Sequence, residues 1–299
     1  MPTWLSLLSY DPVPPLLSSG DPALTFHARQ EMLGEDVGPL ESLWSLNPAE
    51  KLLRRQQADG SWKYPGQRRP ELRQQEDYDQ LETYRSLAEL VEKYALTQAH
   101  PALRRAAEFL FSRQTDEGDI RGIYGRQYSP NYTAAIMELL IKAGYGDDLR
   151  IHHGFRWLLS ARHADGGWAI ALRTTGAKLD AATMLGPTLR TDPAKPFSHL
   201  ATGVVLRAFA AHPQYQTSGE ASLFGSRTCS LRSIRARGSA SAANTPRFSA
   251  AWTGWPIISG ATAVGTWPCC AQGVANRSGC GSASASAASS NGSLHRRHR

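Results

Sequence analysis

The chain has 299 residues, 41% of them hydrophobic, with 33 Lys and Arg against 26 Asp and Glu and four Cys, enough for one large or two small domains at ~100–200 residues each. Its formal charge of +7 is unevenly placed: the 79 residues from Ala221 to Arg299 contain nine Arg, fifteen Ser, fifteen Ala and all four Cys but no Asp, Glu, Lys, Tyr or Met. The first 220 residues hold all 26 acids and the other 24 basic residues, a net charge of −2, so the overall positive charge is no argument for a nucleic-acid-binding domain.

The cysteine-free body offers no disulfide framework and no thiolate metal site, which fits a reducing compartment. The start MPTWLSLLSY lacks the basic n-region of a secretory signal, and the apolar runs fall short of the ~18–20 residues that a membrane span needs. A cytoplasmic protein with no integral span is expected.

Residues 1–47 are punctuated by turns at Asp11-Pro12, Pro14-Pro15, Asp21-Pro22 and Gly38-Pro39 and read as an irregular lead-in, with a short helix expected from Leu24 to Met32. From there to about Ala211 apolar residues recur three and four apart: Leu81, Tyr84, Leu87, Leu90; Leu103, Ala107, Leu110, Phe111; Ile136, Leu139, Leu140; Phe155, Leu158, Leu159; Leu200, Val204, Phe209. That period is helical. His100-Pro101 and Ser129-Pro130 read as helix starts and Gly144 as a helix end.

Three segments repeat one another: KLLRRQQADGSW at 51–62, RAAEFLFSRQTDEGDI at 105–120 and HGFRWLLSARHADGGW at 153–168. Each is a helix ending in Gln or Arg, then an Asp, a Gly and an apolar or aromatic residue. A second helix follows each, with a threonine near its start, Thr83, Thr133 or Thr202. The threonines are 50 and 69 residues apart, and the longer gap contains an extra loop from Leu172 to Pro196. The unit is a helical hairpin of about fifty residues. The Gln is expected to bond the carbonyls of its own last turn or the amides of the next helix; Asp-Gly supplies a tight turn, and the Trp covers it with a large apolar face. This reads as a structural staple between hairpins.

The segments resemble the QW repeat of squalene-hopene and oxidosqualene cyclases. The second copy matches at Arg105, Ala106, Phe109, Leu110, Gln114 and Gly118, with Ile120 in place of Trp; the third at Gly154, Trp157, Leu158, Gly166 and Trp168, with His153 in the basic place and Arg162 for Gln; the first at Gln56 or Gln57, Gly60 and Trp62. The resemblance covers residues 48–211. It implies an all-α fold, the α/α toroid of terpenoid cyclases and protein prenyltransferases, incomplete here. The helices carrying Thr83, Thr133 and Thr202 would be inner and those ending at Gln57, Gln114 and Arg162 outer.

Cyclases of this kind protonate an alkene or epoxide with an Asp-x-Asp-Asp acid and steer carbocations with aromatic faces. This chain has no such motif; its nearest approach is Asp77-Tyr78-Asp79-Gln80, read either as an acid site of paired carboxylates or as N-terminal helix charges. Asp147-Asp148 lacks the third Asp of a magnesium-diphosphate motif and reads as a cap. Without Cys in the body, prenyltransferase-type zinc is disfavoured, and no metal or cofactor is expected. His152, His153 and His163 read as surface groups. His199, three residues before Thr202, is a candidate at a cavity rim, the alternative being a structural histidine. Tyr78, Tyr84, Tyr128 and Tyr132 cluster near inner-helix starts and are candidates to line a pocket for an isoprenoid or other apolar ligand. The alternative functions are a non-catalytic toroid binding a lipid or protein, and a carbohydrate-active α/α barrel, which would need convergent carboxylates.

The division expected is thus a lead-in at 1–47, a partial toroid at 48–220 and an Arg/Ser/Ala/Gly tail at 221–299. A GC-rich gene read out of frame gives such a tail, and we expect a frameshift between Ala221 and Arg227; a disordered basic tail or a site using Cys229, Cys269, Cys270 and Cys280 are the competing readings. Translating the other two frames of the nucleotide sequence checks this: one should yield a further helical repeat ending in Asp-Gly-x-Trp, and its absence from both refutes the frameshift.

Overall fold

The computed structural model describes residues 8–216; the tail, its cysteines and the expected frame junction lie outside the described residues. Among the described residues there is no strand, only isolated bridges inside turns. Helices α1 (Val13–Leu17) and α2 (Pro22–His27) lead into α3 (Asn47–Leu53), α4 (Gln75–Ala88), α5 (Pro101–Phe111), α6 (Pro130–Leu140), α7 (Leu149–Ser160), the short α8 (Ala171–Thr174) and α9 (Ala181–Leu185), then α10 (His199–Ala211) and α11 (Pro213–Gln216). Helices α2, α4 and α6 each run on into a wider five-residue π turn.

The lead-in has more structure than its turn residues suggest. Besides the expected helix, which is α2 with its π turn to Met32, it contains α1 and a 3₁₀ segment at Leu40–Ser45. It clamps onto the end of the α4 segment: Lys93 pairs with Asp21 at 2.6 Å, a ring nitrogen of His27 meets the Lys93 carbonyl at 2.9 Å, and Trp44 Nε1 donates to the Ala95 carbonyl at 3.3 Å.

A compact turn follows each of α3, α5 and α7 and leads to α4, α6 and, beyond α8 and α9, α10; in space α5 packs on α4, and α6 packs on both α7 and α10. Amphipathic α5 buries Leu103, Ala107, Leu110 and Phe111 while Arg104, Arg105 and Glu108 face outward. Helix α6 is buried almost all round, every residue except Asn131 and Tyr132, as befits a helix in contact with α4, α7 and α10 at once. Its partner α7 starts where Asp148 accepts the Arg150 amide at 2.9 Å, the cap expected of the Asp147-Asp148 pair. At α5 the cap is a ring: His100 Nδ1 accepts from the Ala102 amide. Ser129 occupies the N-cap position before Pro130, but its hydroxyl turns to Asn131 instead of capping. Gly144 ends the α6 segment at φ +103°, a left-handed conformation that a Cβ would strain.

The three hairpin turns are superimposable in their bonding. In each, a glycine amide closes back on the residue three before it: Gly60 to Gln57, Gly118 to Thr115, Gly166 to His163. These glycines have φ of +91°, +105° and +99°, and the first two lie so close to α5 and α7 that a Cβ would come within 2.3 Å of the Arg105 carbonyl oxygen and 2.7 Å of that of His153. The amide that follows two residues later is held by a threonine hydroxyl of α4, α6 or α10: Trp62 to Thr83 at 2.9 Å, Ile120 to Thr133 at 3.0 Å and Trp168 to Thr202 at 2.9 Å. Trp62 and Trp168 are fully buried, each worth roughly 4–6 kcal/mol as an upper figure for its apolar area. Their indole nitrogens donate to Leu52 and Leu158 carbonyls at the ends of α3 and α7; Ile120 keeps the burial without that bond.

The repeat glutamine in the first copy is Gln56. Its amide, like that of Gln114, donates to the carbonyl of its own turn glycine and to a carbonyl in the first turn of the helix that follows in the next repeat, Ala102 of α5 for Gln56 and Arg150 of α7 for Gln114. It therefore bonds carbonyls on both sides, not the next helix's amides, because Pro101 at α5 and the Asp148 cap at α7 leave those amides absent or satisfied. Arg105 returns a bond to Gln56 Oε1 at 2.6 Å, and in the third copy Arg162 Nε takes the glutamine's place on the Gly166 carbonyl at 3.0 Å.

Thr133→Val keeps the shape of the side chain and removes the acceptor for the buried Ile120 amide. It should cost about 1–3 kcal/mol and lower the thermal midpoint by several degrees, whereas Thr133→Ser should retain most of the stability; a thermal melt of both variants checks this.

Candidate ligand-binding site

Asp77 and Asp79 do not form a carboxylate pair. Two residues apart on α4 they point about 200° apart around the axis. Asp77 is the third residue of the helix and completes a capping box with Gln74, whose amide donates to Oδ2 at 3.2 Å, while Arg113 donates to Oδ1 at 2.5 Å. Burial pushes the Asp77 carboxyl upward, against the Arg113 and Arg73 charges that pull it down. Asp79 accepts from the Tyr64 amide at 2.9 Å and from Gln75 Nε2 at 2.8 and 2.7 Å, pinning the segment that leaves the first turn. Both buried acids are thus tied into the fold, as helix-start and loop-holding groups.

His199 is exposed at the first position of α10, edge-on to Phe197 at 5.0 Å, and none of its recorded contacts is to Asp77 or Asp79. Of the other histidines, His153 is half-buried at the Gly118 turn. His152 packs against His212 and Tyr215. His163 is a correction to the surface assignment: it is buried because it occupies the turn position of Gln57 and Thr115, and its ring nitrogens have no partner among the described residues. In the other copies that position bonds Ser61 or Asp119; here the matching residue is Gly167.

The four tyrosines separate into three places. Tyr84 of α4 and Tyr132 of α6 meet edge to face at 5.8 Å, and Tyr124, from the connection before α6, stands 5.3 Å from Tyr132 on another side. Burial holds both phenols of the α4–α6 pair neutral, pushing Tyr132 up to about 12 and raising Tyr84. Tyr78 pairs with Tyr64 at 5.1 Å, with Arg73 over the first ring and Arg85 over the second at 5.5 and 5.9 Å. Those two guanidinium groups also act on Tyr132. Tyr128 lies elsewhere: its hydroxyl donates to Glu117 at 2.6 Å and its ring rests on Trp157 of α7. Tyr124 and Tyr64 lie outside any helical period, so spacing offered no signal for them.

Sequence reasoning also missed a charged ladder that joins the α4 and α6 segments to α10. Lys142 donates to Glu92 and Glu138, both at 2.8 Å, and Arg207 of α10 donates to the other oxygen of Glu138 at 3.0 Å. Burial lowers the Lys142 pKa and the two carboxylate bonds raise it, with a net upward shift. The hint was a glutamate in α6, a helix of otherwise mostly apolar residues. A cavity of about 390 Å³ opens in the lead-in between Leu17, Pro22, Phe26, Arg29 and Val37, lined by none of the candidate residues. Among the described residues, no group of three His, Cys, Asp or Glu side chains is placed to hold a metal ion, and no helix is long and apolar enough to cross a membrane.

No protein family, curated protein or solved structure matches the chain.

Glu138→Gln removes the charge shared by Lys142 and Arg207 in a position where the carboxylate is nearly enclosed. It should destabilise by about 1–3 kcal/mol, read as a lowered urea midpoint at unchanged slope.

Proposed function

We propose that the chain is a hairpin-repeat protein of the terpenoid cyclase and prenyltransferase type, a partial α/α toroid, that binds an isoprenoid or similar apolar ligand against the aromatic face of its inner helices. The observation that carries this reading is the contact of Tyr84, Tyr124 and Tyr132, three phenols from two inner helices and the connection between them. Neutral aromatic rings offer large apolar area and ring faces that attract positive charge. Arg73 and Arg85, whose charges act on Tyr132, would offer cationic groups to a polar end of the ligand.

Acid-initiated cyclisation is not part of the proposal. A cyclase acid must present a free protonated oxygen to the substrate, whereas both oxygens of Asp77 are engaged by Arg113 and the Gln74 amide. The carbohydrate-active alternative wants carboxylates open to a sugar, but Glu92 and Glu138 bracket Lys142. Both facts favour a binding scaffold over an enzyme.

Titrating the full chain with farnesol and following intrinsic fluorescence tests the proposal. Saturable binding is expected, weakened about tenfold or more by Tyr132→Ala, the scale for truncating a buried aromatic anchor, and unaffected by Asp77→Asn. Absence of saturable binding to farnesol and to squalene overturns it, and turnover of squalene abolished by Asp77→Asn would restore the cyclase reading.

A further inference from the structure

The extra loop of the third hairpin is anchored at its two ends to that hairpin and at its middle to the second. At the ends, Thr174 Oγ1 accepts from the Asp192 amide at 3.0 Å, and the amides of Phe197 and Ser198 donate to Asp165 and to the Trp168 carbonyl at 3.0 and 2.8 Å. Between them, residues 175–196 are largely solvated, and Met184 is their one buried side chain. Over most of this length the segment is a strap held by polar contacts.

Those contacts converge on Gln127, which is fully buried. Its Nε2 donates to the carbonyls of Thr183 at 2.6 Å and Pro187 at 3.0 Å, and its Oε1 accepts from the Leu189 amide at 2.8 Å. Two donors and an acceptor on one planar group are what a strap with two free carbonyls and one free amide requires, and only an amide side chain supplies them. Neighbouring backbone reinforces the clasp: the Arg126 amide donates to the Met184 carbonyl at 2.8 Å, and Gly125, at φ +58°, lies so close that a Cβ would sit 2.3 Å from the same oxygen.

The loop that carries Gln127 also carries Tyr124. Gly122 and Gly125 pair across this loop, and the Gln127 amide donates back to the Tyr124 carbonyl at 3.1 Å. The Tyr124 ring then rests on Tyr132. A chain of short contacts therefore runs from strap to Gln127, to the Gly122–Gly125 turn, to Tyr124 and to the aromatic face. Resting on the ligand-binding reading above, we propose that Gln127 is a positioning residue: by clasping the 175–196 strap it holds Tyr124 against Tyr132 and so sets the affinity of the aromatic face for an apolar ligand.

Gln127→Glu tests this with little change of shape, because a carboxylate keeps the acceptor for Leu189 but cannot donate to Thr183 and Pro187. In the full chain, amide hydrogen exchange should rise in 121–127 and 183–189 and stay unchanged in α5 and α7. Farnesol affinity should fall about three- to tenfold, the range of one displaced aromatic contact. Tyr124→Ala should weaken farnesol binding to a similar degree, and the two substitutions together should do little more than either alone, since both act through the same ring. Strictly additive losses, or unchanged affinity despite raised exchange, overturn the proposal while leaving ligand binding intact; unchanged exchange overturns the clasp itself. Absence of farnesol binding by the unsubstituted chain refutes the function first and the positioning role with it.

Discussion

A threonine hydroxyl that receives a backbone amide from the turn before it is the contact on which the hairpins depend. At Thr83, Thr133 and Thr202 the second helix of the hairpin reaches out to the amide of Trp62, Ile120 or Trp168, which the aromatic or aliphatic side chain above it shields from water. An amide left unpaired in that place would carry the full desolvation penalty. With the bond made, the apolar residue can close over the turn, and the second helix is tied to the turn that ends the first. The turn glycine is required for the same reason: only a positive φ brings the chain round tightly enough to aim the amide at the hydroxyl.

Successive hairpins are joined by a second device of the same economy. Gln56 and Gln114 each bond one carbonyl in their own turn and one in the first turn of α5 or α7, and the glycines of those turns approach the backbone of the same helices at Arg105 and His153. Each unit thus contacts chiefly its neighbour, the nearest-neighbour logic of repeat proteins. The basic Arg105 and the turn glycines of the repeat take part in this junction.

Charge on α4 and α6 follows a similar pattern. Asp77, Asp79 and Glu138 are buried, and each is saturated by bonds to named partners. Burying a carboxylate without such partners would be prohibitive, so their saturation is a condition of folding. The tyrosines are different. The partly buried rings of Tyr84 and Tyr132 meet between α4 and α6, and Tyr124 joins them from the loop before α6.

The residues that were legible in the sequence are those governed by local or periodic rules. The helical class, the threefold hairpin repeat, the turn glycines, the caps at His100 and Asp148, and the threonines on the second helices all follow from spacing that a single chain displays. What spacing cannot display is which side of a helix a polar residue finds its partner on. Asp77 and Asp79 look like a pair in the sequence because they are two residues apart, yet helical rotation sends them to different neighbours. Tyr128 looks equivalent to Tyr132, yet four residues and a helix start turn it to the opposite surface, onto Trp157. Glu138, Lys142 and Arg207 come together from residues up to 69 apart, and Gln127 meets a strap about sixty residues further along. The sequence by itself determined the repeating unit, because backbone hydrogen bonds and turn geometry act over a few residues. Only the tertiary structure decided which polar groups pair with one another and which rings come together, because those outcomes rest on contacts between segments that no local rule connects.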